Sequence, residues 1–589
     1  MFEEEAFMTV DPFSLPPVTS QPPRRSNFFF LIVGISVGVL LIAIGAGALL
    51  FNLLTQRASR IPELLPAETQ IFAAITPNLS DLPNIDRLRR AFPETFDYQN
   101  NQTTSDLLAE QFGVSFNEDI APWIGAEMAL AVYGIPVERI VDPNVGNLDS
   151  PFGLPTPPTS VNDDAISEGN ILLIVSIRDQ RAAQAFLDKQ RTFRESKGER
   201  FTSSTTNGIT IYASDTPDSA FAAFALARDM VVFANKPDGI ATLIQQPADT
   251  SLARNTSFQA TVQSLPNDRI GTIYIAGNTI AQVSQTAIDA FNLSNTASFV
   301  RDAVTIGQAM HGVGLTMAVI EDGLRFDATA VLDQERLSGE LRERLKTFRP
   351  AVSPERAGNV SSDAVGVISF AIPADWGQQL RDQLAASPDT ANTLRNLERS
   401  LNIDLERDLF RWFHGEGVIT ILPNDSTDLP VGGYFALQVA DQSAAQDGMR
   451  TLTTLIEDLI GVSFEDVSIG RTQVQAITVG DFFIGYGFNG RDLVIAVGRS
   501  AMEAAFGAEK KLASVATYTD ALKAMPSPNA GVIYVNLKSV RDLSKRLGND
   551  VDPELDRRLS PFQALTTSGT VGINDRGVAR GTLLLSITP

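Results

Sequence analysis

The sequence predicts an α+β protein: a single N-terminal transmembrane helix, then two tandem duplicated units of mostly antiparallel sheet covered by helices. Three observations predict it. Alternating apolar runs are interleaved with stretches of helical period. Blocks of sequence recur in the same order in the two halves of the chain. One early segment stays apolar for long enough to cross a bilayer.

That segment runs from Phe28 to Leu54 without a charged residue. At about 1.5 Å per residue it crosses a hydrocarbon core of roughly 30 Å with room to tilt. It is too long for the core of a signal peptide, and no clear cleavage site follows it. Arg24 and Arg25 abut its first end, whereas Arg57 and Arg60 follow the second, so arginine counting alone is a tie. The arginine pair directly against the apolar run is the layout of a signal anchor. Residues 1–27, rich in Pro with Glu3, Glu4 and Glu5, read as a disordered tail. The expectation is a cytoplasmic N-terminus and an extracytoplasmic C-terminal ectodomain at the cell membrane.

The duplication is read from matched blocks. Gly113–Leu130 aligns without a gap on Asn402–Ile419, placing Asp119 on Asp408, Trp123 on Trp412 and Glu127 on Glu416. Asp179-Gln180 meets Asp441-Gln442, and Arg228-Asp229 meets Arg491-Asp492. Leu265-Pro266 with the strand at Gly271 meets Met525-Pro526 with the strand at Gly531. These matches keep their order and spacing. The resulting organisation is a first unit over 61–332, a connecting helix and linker over 333–357, and a second unit over 358–589.

Within each unit an extended run (Ile71–Ile75; Val365–Phe370) opens into a helix (Leu82–Phe92; Trp376–Ala385). A short amphipathic helix carrying the paired tryptophan follows, expected to stop at Gly125 or Gly415 as a glycine cap. Two strands come next (Ala129–Tyr133 and Ile171–Ile177; Val418–Leu422 and Tyr434–Val439). The Asp-Gln pair then starts a helix, its aspartate suited to the N-cap. Further strands include a hairpin bent at Arg-Asp, and a last hairpin turns at Glu321-Asp322-Gly323 or Asn574–Gly577. Such runs predict a sheet with helices on one face. Asp333–Arg349 is expected to be a connecting helix, and Pro350–Gly358 a linker. The first unit alone inserts Val137–Asn170, whose Pro, Gly, Asp and Asn content predicts a long surface loop.

These features resemble the bacterial domain-of-unknown-function family 3352. The resemblance rests on the apolar anchor, the Leu65-Pro66-Ala67-Glu68-Thr69 lead into an extended segment, and the repeated pattern around Trp123 and Trp412. It implies an uncharacterised, membrane-anchored protein and supplies no catalytic residues.

Composition narrows the chemistry. The chain has 589 residues, 44% hydrophobic and 20% charged, so most of it should fold. Its 47 Lys+Arg against 69 Asp+Glu leave a net charge of −22, which repels phosphate backbones and argues against a nucleic-acid partner. The absence of cysteine removes thiolate catalysis, disulfides and Cys-ligated metals. His311 and His414 are the only histidines, which disfavours His-based metal sites and Ser-His-Asp triads. His414 could act as a lone acid or base, but a surface histidine is the commoner case.

No residue earns a catalytic, cofactor or metal assignment. Trp123 and Trp412 could stack a ligand, yet core anchoring is the simpler reading. Glu127 and Glu416 belong to different units, against the paired acids of a glycosidase. Arg228-Asp229 and Arg491-Asp492 read as solvated turns. Asp550, Asp552, Glu554 and Asp556 could hold calcium but lack the EF-hand loop, and Asn162-Asp163-Asp164 with Glu168 is weaker still. Gly485 and Gly487 read as close backbone packing in a strand. The expected function is a non-enzymatic binding or scaffolding ectodomain of the cell envelope, with an envelope protein as candidate partner. The alternatives are a carboxylate-dependent envelope hydrolase and a carrier of a lipid or apolar ligand, the latter prompted by Phe221–Leu226 and Phe482–Phe488.

Overall fold

A computed structural model describes residues 60–75, 84–93, 113–139, 168–216, 221–290, 298–346, 348–385, 403–424, 429–548 and 552–588, with a few isolated residues between them. The anchor Phe28–Leu54 and most of the Val137–Asn170 insertion lie outside the described residues. Among the described residues no helix is long and apolar enough to cross a membrane.

The first unit opens with β1 (Ile71–Ile75) and α1 (Ile85–Ala91), then a π-turn over Phe116–Ile120. β2 (Ile124–Tyr133) and β3 (Asn170–Ile177) lead to α2 (Gln180–Ser196) and the strands β4 (Phe201–Thr206), β5 (Ile209–Ser214), β6 (Ala223–Ala227) and β7 (Met230–Ala234). α3 (Pro237–Gln245), α4 (Thr256–Ser264), β8 (Gly271–Ala276), α5 (Gly277–Ala290), α6 (Ser298–Gln308), β9 (Met310–Ile320) and β10 (Gly323–Leu332) complete it. α7 (Gly339–Lys346) connects the halves. The second half carries α8 (Pro354–Gly358), β11 (Gly366–Ile372), α9 (Trp376–Ala385), a π-turn over Glu406–Phe410, β12 (Gly415–Pro423), β13 (Val431–Gln438) and α10 (Gln442–Ile460). β14 (Glu465–Ile469), β15 (Thr472–Val479), β16 (Phe482–Asn489) and β17 (Asp492–Val497) follow. Last come α11 (Arg499–Gly507), α12 (Ala516–Ala524), β18 (Asn529–Asn536), α13 (Leu537–Arg546), α14 (Pro553–Leu559), β19 (Phe562–Thr570) and β20 (Val578–Ile587).

The twenty strands among the described residues join one sheet, and every pairing between them is antiparallel. Followed through its pairs, the first half runs β4-β5-β6-β7-β3-β2-β1-β8-β9-β10. The second half continues as β20-β19-β18-β11-β12-β13-β17-β16-β15-β14, the same order reversed. The join is β10 against β20, in unbroken register from Gly323↔Ser586 to Val331↔Val578. A polar network sits on this seam. Asp327 is buried; its Oδ1 accepts from Thr582 Oγ1 at 2.8 Å and its Oδ2 pairs with Arg325 Nε at 2.8 Å. Arg580 donates to Ser264 O at 2.8 Å, meeting the carbonyl end of α4.

Helices cover both faces of the sheet, correcting the one-face expectation. Along β3, Leu172 and Ile174 enter the core under α3 and α4, while Val175 and its neighbour Leu173 face α2. β13 does the same, with Tyr434 and Ala436 on one side and Phe435 and Leu437 on the other. A strand buried on both faces has no polar side to show, so its apolar run carries no facial signal. The apolar runs that prompted a carrier reading are accounted for in part: Ala223, Phe224 and Ala225 of Phe221–Leu226, and Phe483 with Gly485, Tyr486 and Gly487 of Phe482–Phe488, are buried sheet, whereas Phe482 is exposed.

Three boundaries also differ. Pro354–Gly358 is a helix within the second core, where Ala357 is buried, rather than a linker. Asp333–Arg349 divides into a 3-10 turn at Gln334–Arg336 and α7, whose Leu341 packs with Leu332 and Ile573 over the seam. The second Arg-Asp hairpin turns one residue early, at Gly490-Arg491, because Asp492 already pairs with Asn489 in the ladder. In the first unit Arg228 and Asp229 do form the turn, at φ +50° and +61°, as a type I′ hairpin requires.

The two tryptophans are buried, at 2% exposure for Trp123 and 0% for Trp412. Trp123→Ala and Trp412→Ala should each lower unfolding stability by about 3–5 kcal/mol, measured by urea denaturation. A loss under about 1 kcal/mol at either site would remove the indole from the core.

Candidate functional site

The residues repeated between the units first form a local knot. In each π-turn an aspartate folds back on the chain: Asp119 Oδ2 accepts from Ser115 N at 2.7 Å, and Asp408 Oδ2 from Asp404 N at 2.9 Å. The backbone oxygen of the same aspartate accepts the indole N–H, from Trp123 at 2.7 Å and Trp412 at 2.8 Å. A cation closes each knot, Lys189 at 2.6 Å from Asp119 and Arg407 at 2.6 Å from Asp408. Burial pushes the Asp119 carboxyl up, but the Lys189 and Ser115 hydrogen bonds outweigh it and hold it below the usual range. At Asp408 the Arg407 hydrogen bond leads, against burial and with help from Asp404 N–H, again lowering the pKa. The indoles are thus satisfied and enclosed, which leaves no stacking platform. Gly448 of α10 is needed for this, since a Cβ there would lie 2.3 Å from Trp412 Nε1.

The glycines expected to cap a helix serve the sheet instead. A single π-turn replaces the helix, and Gly125 and Gly415 lie in β2 and β12. A Cβ on Gly125 would meet Ser176 Oγ at 2.5 Å, and one on Gly415 would meet Gln438 O at 2.1 Å. The requirement is close strand approach. Two residues beyond Gly125 and one beyond Gly415, the paired glutamates do equivalent work. Glu127 Oε2 accepts from Arg60 N at 3.1 Å, and Glu416 Oε2 from Ser353 N at 3.2 Å. Arg60 and Ser353 are the N-caps of the first helical turn of each half, where free N–H groups favour an anion. Eight strands separate β2 from β12, about 40 Å along the sheet at ~4.8 Å per strand. Paired-acid glycoside hydrolysis needs carboxyls within about 5–10 Å of each other. These two cannot share a cleft.

The remaining candidates are engaged elsewhere. Asp552 caps α14 through Glu554 N at 2.8 Å, Glu554 pairs with Arg557 and Arg558 at 2.8 Å, and Asp556 pairs with Lys545 at 2.7 Å. Asp550 and Asn162-Asp163-Asp164 lie outside the described residues; Glu168 pairs with Arg139 at 2.6 Å, joining the two stems of the insertion. Among the described residues no group of three or more His, Asp or Glu is placed to hold a metal. The Arg-Asp pairs are not merely solvated: Arg228 donates to Ile244 O at 2.8 Å, and Asp492 takes both oxygens to Arg356 at 3.0 Å. Gly485 and Gly487 do pack closely, a Cβ meeting Ala476 at 2.9 Å or Val474 at 2.6 Å. His311 Nδ1 lies 3.0 Å from Ser257 Oγ, a pair that sequence reading missed because 54 residues separate its members. His414 donates its backbone N–H to Trp412 O at 2.9 Å.

One further surface was missed. On the tryptophan side of the sheet, Ile533, Ile368 and Ile419 stand directly opposite one another on β18, β11 and β12, with Ile421 beside them. Their exposures are 41%, 38%, 39% and 43%. The corresponding row of the first unit is Ile273, Ala73 and Leu130, smaller at its centre, with Leu130 37% exposed. The signal was present in Val418-Ile419-Thr420-Ile421-Leu422, a strand with no polar alternation although one of its faces is partly open. A separate depression of about 520 Å³ is polar, lined by Arg395, Glu398, Arg399, Ile403, Asp404 and Arg407.

A family model described as a protein of unknown function, DUF3352, matches residues 30–587, nearly the whole chain. The chain belongs to the DUF3352 family. No curated protein matches this DUF3352 chain. Among solved structures it is similar to crystal form III of TP0453, at 11% identity over 50% of this chain and 89% of that one, with a TM-score of 0.21. Crystal form I of TP0453 gives 9% identity over 50% and 88%, with a TM-score of 0.22. At those values neither fold nor role transfers, and the chemistry of this DUF3352 member rests on its own residues.

The aspartate knots make acid stability testable. Both carboxyls titrate below their unfolded value, so the stability they contribute is present above roughly pH 4 and is lost as pH falls through that value towards the folded pKa. Asp119→Asn with Asp408→Asn should flatten the stability profile below about pH 4 and lower stability at neutral pH by about 1–3 kcal/mol per site. An unchanged acid limb in urea titrations would contradict the assignment.

Proposed function

We propose that the protein is a membrane-anchored, extracytoplasmic binding or scaffolding ectodomain of the cell envelope. The observation that carries the binding reading is the isoleucine strip. The repeated acids and tryptophans are committed to knots and clasps, whereas Ile368, Ile419, Ile421 and Ile533 form a contiguous apolar row on open sheet. Fully burying an isoleucine is worth about 1.5–3 kcal/mol, so covering the two-fifths of each still exposed is worth roughly 1 kcal/mol apiece, and four together favour a partner with a matching apolar surface. The anchor reading rests on the uncharged run Phe28–Leu54. The partner is an envelope protein, and nucleic acid is disfavoured by the net charge of −22.

The same strip favours a second reading, a carrier whose ligand is an acyl chain or another apolar molecule. One set of variants separates the two. Ile368→Thr, Ile419→Thr and Ile533→Thr keep β-branched side chains on exposed strand positions, so the triple variant should unfold within about 1 kcal/mol of the parent. On the scaffolding reading it should recover markedly less envelope protein after cross-linking in native membranes. On the carrier reading that recovery is unchanged, and solvent extraction of the purified chain yields less lipid than the parent. If protein recovery and lipid content are both unchanged, the strip is not a binding surface.

Orientation has its own test. Protease added outside spheroplasts should digest the chain beyond about Arg60 and leave the N-terminal tail protected. An ectodomain that survives until lysis would reverse the topology.

A further inference from the structure

A sheet built in one open line has two edges, and here they are chemically unlike. One edge is β4, Phe201-Thr-Ser-Ser-Thr-Thr206, which among the described residues pairs only with β5. The other is β14, Glu465-Asp-Val-Ser-Ile469, which among the described residues pairs only with β15. Open edges are usually blunted by charge, proline or a bulge. β14 follows that rule with Glu465 and Asp466, both exposed. β4 has none of these defences, although Thr202–Thr205 are exposed. Its register with β5 is unbroken from Phe201↔Ser214 to Thr206↔Ile209.

The backbone of β4 presents a regular docking line. Asn207 and Gly208, at φ +48° and +80°, make the two-residue turn into β5. The residues flanking such a turn exchange hydrogen bonds, so Thr206, Ser204 and Thr202 bond inward. Asp215 N donating to Arg200 O at 2.9 Å continues that alternation. Phe201, Ser203 and Thr205 therefore turn their N–H and C=O groups outward.

We propose that β4 pairs antiparallel with β4 of a second copy of this chain, extending the sheet across a two-fold axis. Two observations select that occupant. The chain already joins its own halves this way, with β10 against β20 in antiparallel register. Self-pairing of β4 also opposes only hydroxyl and aromatic side chains, an uncharged contact on a molecule whose net charge of −22 otherwise repels its own kind. Self-pairing of β14 would instead place four carboxylates, Glu465 and Asp466 of each copy, on one short ladder with no cation on the strand. One open edge and one defended edge yield a closed dimer, because an isologous contact uses up its own surface.

The chain has no cysteine, so a single introduced thiol reports one position. The test uses the full chain in native membranes and, purified, in detergent. Cysteine is placed singly at Thr202, Ser203, Ser204, Thr205 and, on the other edge, Ser468. Mild oxidation should give a disulfide-linked homodimer concentrated at Ser203→Cys or Ser204→Cys, exceeding Ser468→Cys by about tenfold, the excess of a held over a colliding thiol pair. Equal yields at all five positions, or an adduct with a different protein in place of the homodimer, would overturn the proposal. Ser203→Pro added to Ser204→Cys should abolish the homodimer while leaving the thermal transition of the chain unchanged, since the lost N–H faces outward. Persistence of the homodimer, or unfolding of that variant, would overturn it equally.

Discussion

The hydrogen-bonded seam between Gly323–Val331 and Val578–Ser586 is the constraint on which the arrangement of the molecule depends. Each half alone would end in a long exposed strand with unsatisfied backbone groups. Pairing the two removes both edges at once and makes one sheet of two. Residues opposite each other in an antiparallel pair share a face, so the register also decides sidedness. With Asp327 opposite Thr582, both tryptophan knots and both apolar rows fall on the same side. A slip of one residue would put them on opposite sides. The buried Asp327–Thr582 hydrogen bond disfavours such a slip, because a shifted register would take Thr582 away from the Asp327 carboxylate.

Helices lock the seam on both sides. α1, from the first half, packs Ile85 and Leu88 with Leu324 and with Ile587 of the last strand, and Arg87 donates to Ile587 O at 2.9 and 3.0 Å. On the other face α12 places Ala521 and Met525 against Leu584, with Ile320 from the first half. Contacts that span nearly the whole chain must form late, since closing long loops costs entropy before the contacts repay it.

Much of this fold was legible in the residues, and the failures have physical causes. Asp179 and Asp441 read as N-caps and are N-caps, accepting from Ala182 and Ala444 at 3.0 and 2.9 Å, because capping is a local interaction between residues three apart. The strand Ile71–Ile75 was placed to the residue for a similar reason: alternation and flanking turns are local. The second layer of helices was not legible, since a strand buried on both faces looks the same whatever covers it. Gly125 and Gly415 misled because glycine answers both a helix cap and a close strand crossing, and only the partner strand distinguishes them. The clasps from Glu127 to Arg60 and from Glu416 to Ser353 span more than sixty residues, beyond the reach of any spacing rule.

Face and edge are linked through the same antiparallel geometry. The apolar row lies on the floor of the sheet and β4 lies at its rim, so occupying one does not obstruct the other. Antiparallel pairing about an axis normal to the sheet keeps faces together, as β10 and β20 do within the chain. Two chains joined through β4 would therefore turn all their tryptophan sides the same way. Their apolar rows would lie on one common surface, and a partner that met one row weakly could meet the second without paying again for its lost freedom of movement. Joining through β14 would align the faces equally well but would bring the four carboxylates of Glu465 and Asp466 from both copies onto one short ladder. The charge on that strand chooses the edge, and the hydrogen-bond alternation begun at Asn207-Gly208 determines which backbone groups of β4 are free to meet it.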